Sequence, residues 1–352
     1  MHGTTNLKQL AQSLGLSQTT VSRALNGYPE VKESTRKRVR QAAQQLNYSP
    51  NARARGLATG RAMAIGHVIP SGNQHATANP VFADFLAGAS GCYSQHGYDV
   101  VLTSIEDEDE QRAYRQIAAS GRFDGIIIQL PRVKDSRIPV LSAIGIPFVV
   151  HGRSSGTDLN YNWVDVNNKS SFKDATNLLL DLGHRRIALL NGPESLDFAV
   201  RRQAGYVEAL TERGLMPDPA LIRNAEMTEH FGHREGRNFL QGANPPTAFV
   251  VSSKLTGMGV RRALDERGLR VGRDVSIVTH DDVISYLTAP DAISQFTATR
   301  SSVREAGRLV AEMLISILNE PTRRPENVLL KTELVIGQST GPCRQPQGPA
   351  AD

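Results

Sequence analysis

Apolar positions in the first fifty residues recur at helical spacing. Leu7, Leu10, Ala11 and Leu14 fall at i, i+3, i+4 and i+7, an amphipathic helix that starts at Thr5 or Asn6 and turns at Gly15. Ser17 caps a second, short helix in which Val21 and Leu25 face inward while Gln18, Thr19, Ser22 and Arg23 face outward; Asn26-Gly27 closes it. A third helix from about Glu33 carries Val39, Ala42, Ala43 and Leu46 on one face and a dense basic set on the other. Three short helices around one small core predict a helix-turn-helix unit. About eight residues give the second helix a length of ~12 Å, which fits a DNA major groove.

From residue 64 the pattern changes to short β-rich runs alternating with amphipathic stretches. Residues 64–69 read as a buried strand, and Phe82, Phe85, Leu86, Ala89 and Tyr93 mark the helix that follows. Further strands are predicted at 100–102, 126–129, 148–150, 187–190, 248–251 and 275–279. Repeated βα units predict an α/β fold with parallel sheets covered by helices. In such sheets ligands bind beyond the carboxyl ends of the strands.

Charge sharpens this division. The chain has 352 residues, is 39% hydrophobic and 21% charged, and carries a formal net charge of +5. Ten Lys/Arg and two Glu fall within the first 61 residues, a net of +8, and the remainder is −3. A cationic head on a mildly acidic body points to a polyanion bound at one end. Cys92 and Cys343 match no metal spacing and read as free thiols of a reducing compartment. With neither a membrane-length apolar run nor a signal-peptide pattern, the expected location is the cytoplasm, with no membrane partner. No Gly-x-Ser-x-Gly elbow, phosphate loop or His-Glu-x-x-His motif occurs, so the chain is read as a non-enzyme without cofactor or metal. His230 and His233, spaced His-x-x-His, are assigned to a loop on the rim of a cleft. The run from Gly341, rich in Pro and Gly, reads as a disordered tail, 341–352.

Leu16-Ser17-x-x-Thr20-Val21-Ser22-Arg23-Ala24-Leu25-Asn26-Gly27, followed by Thr35-Arg36 and Leu46-Asn47-Tyr48-x-Pro50-Asn51, resembles the LacI/GalR family of bacterial repressors. The likeness extends over nearly the whole chain. It implies a DNA-binding domain at 1–48, in which Gln18 and Thr19 choose operator bases, Arg23 contacts a base, and Ser17, Thr20, Ser22 and Asn26 lie on DNA. It also implies a hinge at 49–61 that orders as a helix on the operator. There Asn51, Arg53 and Ala58 would meet DNA, and Leu57 would wedge into the minor groove. By composition alone the same run is a flexible basic linker.

The resemblance further implies a two-lobed periplasmic-binding-protein-like core at 62–340. The expected lobes are about 62–160 plus 291–321, and about 161–290 plus 322–340. Four motifs are matched. Phe82 in Asn79-Pro80-Val81-Phe82, Arg202 in Arg202-Gln203-Ala204-Gly205, Phe231 before Gly236, and Asp281 in His280-Asp281-Asp282 would line the effector cleft. Outside that frame, Phe82 and Phe231 are equally well core residues, Arg202 a surface arginine and Asp281 a helix-capping acid. Three positions depart from the family pattern. Ser253-Lys254 replaces Asn-Asp, His151-Gly152-Arg153 replaces an apolar-Asp-Arg run, and Gly337-Gln338-Ser339 replaces Arg-Glu-Ser. Hydrogen bonding to the effector, with Asn79, His151, Arg153 and Ser253 in its set, therefore differs from that of the best-known sugar repressors. The expected protein is a homodimer, a tetramer remaining open, that binds a palindromic operator and a small neutral sugar, a glucoside or other oligosaccharide among the candidates. An activator or co-repressed regulator with a non-sugar effector is the alternative. A sugar transport protein or a sugar-acting enzyme is a remoter one.

Overall fold

The computed structural model describes residues 6–25, 27–46, 48, 60–70, 79–105, 110–287 and 295–344. It divides into two compact units, one ending at Met63 and the other beginning at Ala64.

The first unit holds α1 (Leu7–Leu14), α2 (Gln18–Leu25) and α3 (Glu33–Gln45). Asn6 caps α1 through a reciprocal capping box with Gln9, and Gly15 ends it at φ +65°, a left-handed conformation that glycine adopts without steric cost. Leu10, Ala11, Val21, Ala24, Val31, Val39 and Ala43 form the core. Ala24, rather than Leu25, shares the innermost face of α2 with Val21. Leu46 is exposed. The basic face of α3 also serves the fold, since Arg38 donates to the carbonyl of Leu14 at 2.8 Å and Arg36 to that of Gly27 at 3.3 Å. These bonds satisfy carbonyls that helix ends leave unpaired.

The second unit is built from two six-stranded sheets. In chain order its elements are β1 (Ala64–Pro70), α4 (Pro80–Gln95), β2 (Asp99–Ile105), α5 (Glu110–Ala119), β3 (Gly125–Gln129), α6 (Arg137–Ile144), β4 (Phe148–His151) and β5 (Trp163–Val166). Next come α7 (Asn168–Asp181), β6 (Ile187–Asn191), α8 (Asp197–Glu212), β7 (Ile222–Asn224), α9 (Glu229–Gln241), β8 (Ala248–Val251), α10 (Lys254–Asp265), β9 (Ser276–Asp281) and β10 (Thr297–Arg300). α11 (Val303–Asn319), β11 (Asn327–Leu330) and β12 (Glu333–Val335) are the last among the described residues. The strand orders are β11-β5-β4-β3-β1-β2 and β12-β10-β9-β8-β6-β7. The pairs are parallel except for β10 with β12.

The lobe boundaries differ from those expected. β5 pairs with β4 and β11, so the chain stays in the first lobe through Val166. β10 pairs with β9 and therefore belongs to the second lobe, not the first. The crossings fall after Val166, after Arg300 and after Leu330. β5, β10 and β11 are four-residue strands, too short to carry a period, and their sheet pairing rather than their local sequence assigns them to a lobe.

Reciprocal glycine contacts close the helix pairs. A Cβ on Gly88 of α4 would lie 1.9 Å from the carbonyl oxygen of Arg304, and one on Gly307 of α11 would lie 2.1 Å from that of Phe85. α9 and α10 repeat the device with Gly232 and Gly259. Residues 341–344 are not a free tail. The amide of Cys343 donates to Leu182 at 2.8 Å, and the carbonyl of Gly341 lies 3.2 Å from His184 Nε2. The rest of the expected tail, 345–352, lies outside the described residues.

Candidate DNA-reading face and effector cleft

On α2, Gln18, Thr19 and Arg23 are exposed and Thr20 and Ser22 are half-buried. Ser17 accepts from the amide of Thr20 at 3.1 Å, the side-chain cap that a short helix needs at its amino end. Small polar side chains thus stand at the leading end of a capped helix. Lys8, Lys32, Lys37, Arg38 and Arg40 are exposed on the same small unit. Asn26, Asn51, Arg53, Leu57 and Ala58, and with them nearly all of the expected hinge, lie outside the described residues.

In the second unit, two adjoining cavities of about 380 Å³ and 140 Å³ share Asn79, Val81, Leu130, His151 and Val303 in their walls. The larger is within the ~300–1,000 Å³ usual for small-molecule sites. Arg153, Asp165, Arg202 and Asp282 line the smaller. Arg202, in the second turn of α8, is buried and donates Nε to Asn168 Oδ1 and Nη1 to the carbonyl of Ser252, both at 2.8 Å. Its guanidinium lies between the rings of Phe172 and Phe198, 5.0 and 4.8 Å from their centroids. This fixes the plane of the fork. Burial lowers its pKa to about 10, still far above neutrality, so it remains a cation.

Asp282 faces Arg202 from the end of β9. Burial opposes its ionisation, but His280, 3.5 Å away, and the Arg202 charge together hold its carboxyl below the usual range. His151 enters from the first lobe, stacked on Phe85 at 4.6 Å. Burial lowers its pKa to about 4, so it is a neutral donor and acceptor. Arg153 is bound to Asp165 at 2.7 Å and covers Trp163. Asn79 caps α4 and Ser253 caps α10, each accepting an amide of its helix.

Six of the eight expected effector residues therefore line the cavities: Asn79, Phe82, His151, Arg153, Arg202 and Ser253. Two do not. Phe231 is buried in the core of the second lobe with Phe249, Val260 and Phe296, and Phe198 is the aromatic residue that reaches the cleft from that lobe. Asp281 points away, accepting the amide of Val283 at 3.0 Å and lying 3.5 Å from Arg300. Strand parity accounts for this: side chains alternate along β9, so His280 and Asp282 share the cleft face and Asp281 takes the other. His230 and His233 sit on α9, where His233 bonds Glu266 at 2.8 Å, away from the cleft. Among the described residues no group of His, Cys, Asp or Glu is arranged to hold a metal, and no helix is long and apolar enough to cross a membrane.

A basic three-helix unit with a capped, polar-tipped second helix, joined to a two-lobed core with a polar cleft, defines a DNA-binding transcriptional regulator under small-molecule control. The bacterial regulatory proteins of the lacI family match residues 6–51, and the periplasmic binding protein-like domain matches residues 176–340. The HTH-type transcriptional regulator AglR of Rhizobium meliloti (strain 1021) is 46% identical over 338 residues, 96% of this chain and 95% of that protein. The chain belongs to the LacI family. Among solved structures, the transcriptional regulator CelR in complex with cellobiose is 29% identical with a TM-score of 0.70, covering 95% of this chain and 99% of that one. The lac repressor dimer bound to operator and the anti-inducer ONPF is 26% identical with a TM-score of 0.78, covering 96% and 99%.

Proposed function

We propose that the protein is a cytoplasmic repressor of carbohydrate-utilisation genes that acts by binding, without turnover. Two copies place α2 in successive major grooves of a palindromic operator, where Gln18 and Thr19 select bases and Arg23 reaches a guanine edge. Leu57 acts beside them as a minor-groove wedge. A neutral sugar bound between the lobes lowers operator affinity. The observation that carries this reading is the convergence of Arg202 and Asp282 from one lobe and Asn79 and His151 from the other on one cavity wall. Arg202 and Asp282 offset each other's charge there and Arg153 is bound to Asp165, which suits hydroxyls better than a charged ligand. CelR, structurally similar across the whole chain, was solved with a sugar, which supports the same class of effector.

A thermal-shift screen against mono- and disaccharides, followed by operator binding read by fluorescence anisotropy, tests it. A binding sugar raises the melting temperature by linkage and releases DNA. Sugar that favours release by about 3 kcal/mol changes operator affinity ~150-fold. Arg202→Ala should lose at least tenfold of that response while binding sugar-free operator within about twofold of wild type. A normal response in the variant, or turnover of the sugar, would count against the proposal.

A further inference from the structure

The floor of the larger cavity holds polar groups that the fold leaves unused. His67 of β1 is 1% exposed, and neither Nδ1 nor Nε2 has a hydrogen-bond partner among the described residues. Gln129, at the end of β3, buries its Nε2 in the same condition. Strand register places them together. His67 pairs with Ile127, two residues before Gln129, and Gln129 pairs with His151, so all three side chains share one face of the sheet. Phe82, Phe85 and Tyr93 of α4 surround His67 in edge-on contacts, with centroids 6.4, 6.0 and 6.0 Å away. Both His67 and Gln129 line the cavity, whose other walls include Ile69, Phe82, Ile127 and Leu196.

Buried polar groups in native proteins are almost always bonded, and leaving one unbonded lowers stability. A fold that keeps two such residues at the base of an open cavity retains them for something that enters it. We propose that His67 and Gln129 form a second recognition subsite, which takes the hydroxyls of a second sugar ring, so that the effector is a neutral disaccharide spanning both cavities. This rests on the reading of the cleft as a sugar site. The first ring lies against Arg202 and Asp282. The second enters over Asn79 and His151, sets its C–H faces against Phe82 and Ile127, and reaches His67. A neutral imidazole is one donor and one acceptor, which matches a hydroxyl that is both. Gln129 adds a donor and an acceptor beside it.

Isothermal titration of the full chain with cellobiose, maltose, melibiose, trehalose, glucose and galactose tests the subsite. Wild type binds at least one disaccharide ten times more tightly than either monosaccharide. His67→Leu cuts that advantage tenfold or more and leaves the monosaccharides within twofold. It also melts no lower than wild type without sugar, because it removes an unbonded polar group. If His67→Leu does not fold, Gln129→Leu carries the same comparison. An unchanged disaccharide advantage in the variants, or a monosaccharide that binds as tightly as the best disaccharide, overturns the subsite and leaves the sugar reading standing. No binding by any of the six overturns both.

Discussion

His67 and His151 show how single residues tie the cleft to solution conditions. Burial lowers both pKa values to about 4 in the folded chain, whereas unfolded imidazoles titrate near 6.5. Between pH 6.5 and 4 the unfolded chain therefore binds more protons, and stability falls as pH falls through that window. For His67 the effect is about 2 kcal/mol between pH 7 and 5. Denaturant unfolding at several pH values should show a slope that is shallower by about that amount in His67→Leu; parallel slopes would refute the neutral buried form. The same scale shows what the sequence could reveal. Arg202 was legible only through the family motif Arg-x-x-Gly, since taken alone it reads as a surface arginine; in the structure a Cβ at Gly205 would lie 2.1 Å from the carbonyl oxygen of Lys169, so the glycine of that motif is a close helix contact. Asp282 was not, because two adjacent aspartates are chemically equivalent until the strand's parity is known. Phe231 and Phe198 differ in the same way: each is an aromatic residue in the first turn of a helix, and only the rotation of α9 and α8 decides which meets the cleft.

At the scale of elements, the glycine pair between α4 and α11 sets how closely those helices approach. Gly307→Ala drives a methyl group into the carbonyl of Phe85 and should destabilise the protein by about 2 kcal/mol, as overpacking commonly does. Gly91→Ala is the matching control. It lies on α4 with nothing within 4 Å of the added Cβ, and should stabilise by ~0.5–1 kcal/mol through helix propensity. Thermal melting of the two variants in opposite directions checks both. The three helices of the first unit were legible because their apolar positions hold a helical period, and β3, β6 and β8 because strands buried on both faces read as continuous apolar runs. β7 and β12 were not: at three residues each they are too short for any period, and sheet pairing, a non-local property, defines them.

The whole effector core is held across its cleft by two groups of hydrogen bonds. Asp84 of α4 accepts from the amide and hydroxyl of Ser285 in the other lobe, at 2.5 and 2.7 Å, and from Arg304 at 2.7 Å. Also between the lobes, Asp197 accepts the amide of Ser155 at 2.5 Å, and Arg201 reaches the hydroxyl of Ser155 at 2.8 Å. Ser285 stands three residues beyond Asp282, so one short loop carries a cleft carboxylate and a bond between lobes. Asp84→Ala should weaken binding of a sugar that closes the cleft about tenfold, ~1.4 kcal/mol, and leave sugar-free operator binding intact. Titration of both ligands against the variant checks it. The three chain crossings have another consequence, which concerns synthesis. When a ribosome has made residue 300, the three helices of the head are complete, but the first lobe still lacks α11 and β11 and the second lacks β12. At ~5–20 residues per second the remaining fifty or so take a few seconds. During that interval, and permanently in a chain ended there by a nonsense codon, a finished DNA-binding unit exists without a finished sensor. Late truncations would then leave an intact DNA-reading helix on a body whose cleft lacks the wall that Val303 and Ala306 of α11 supply.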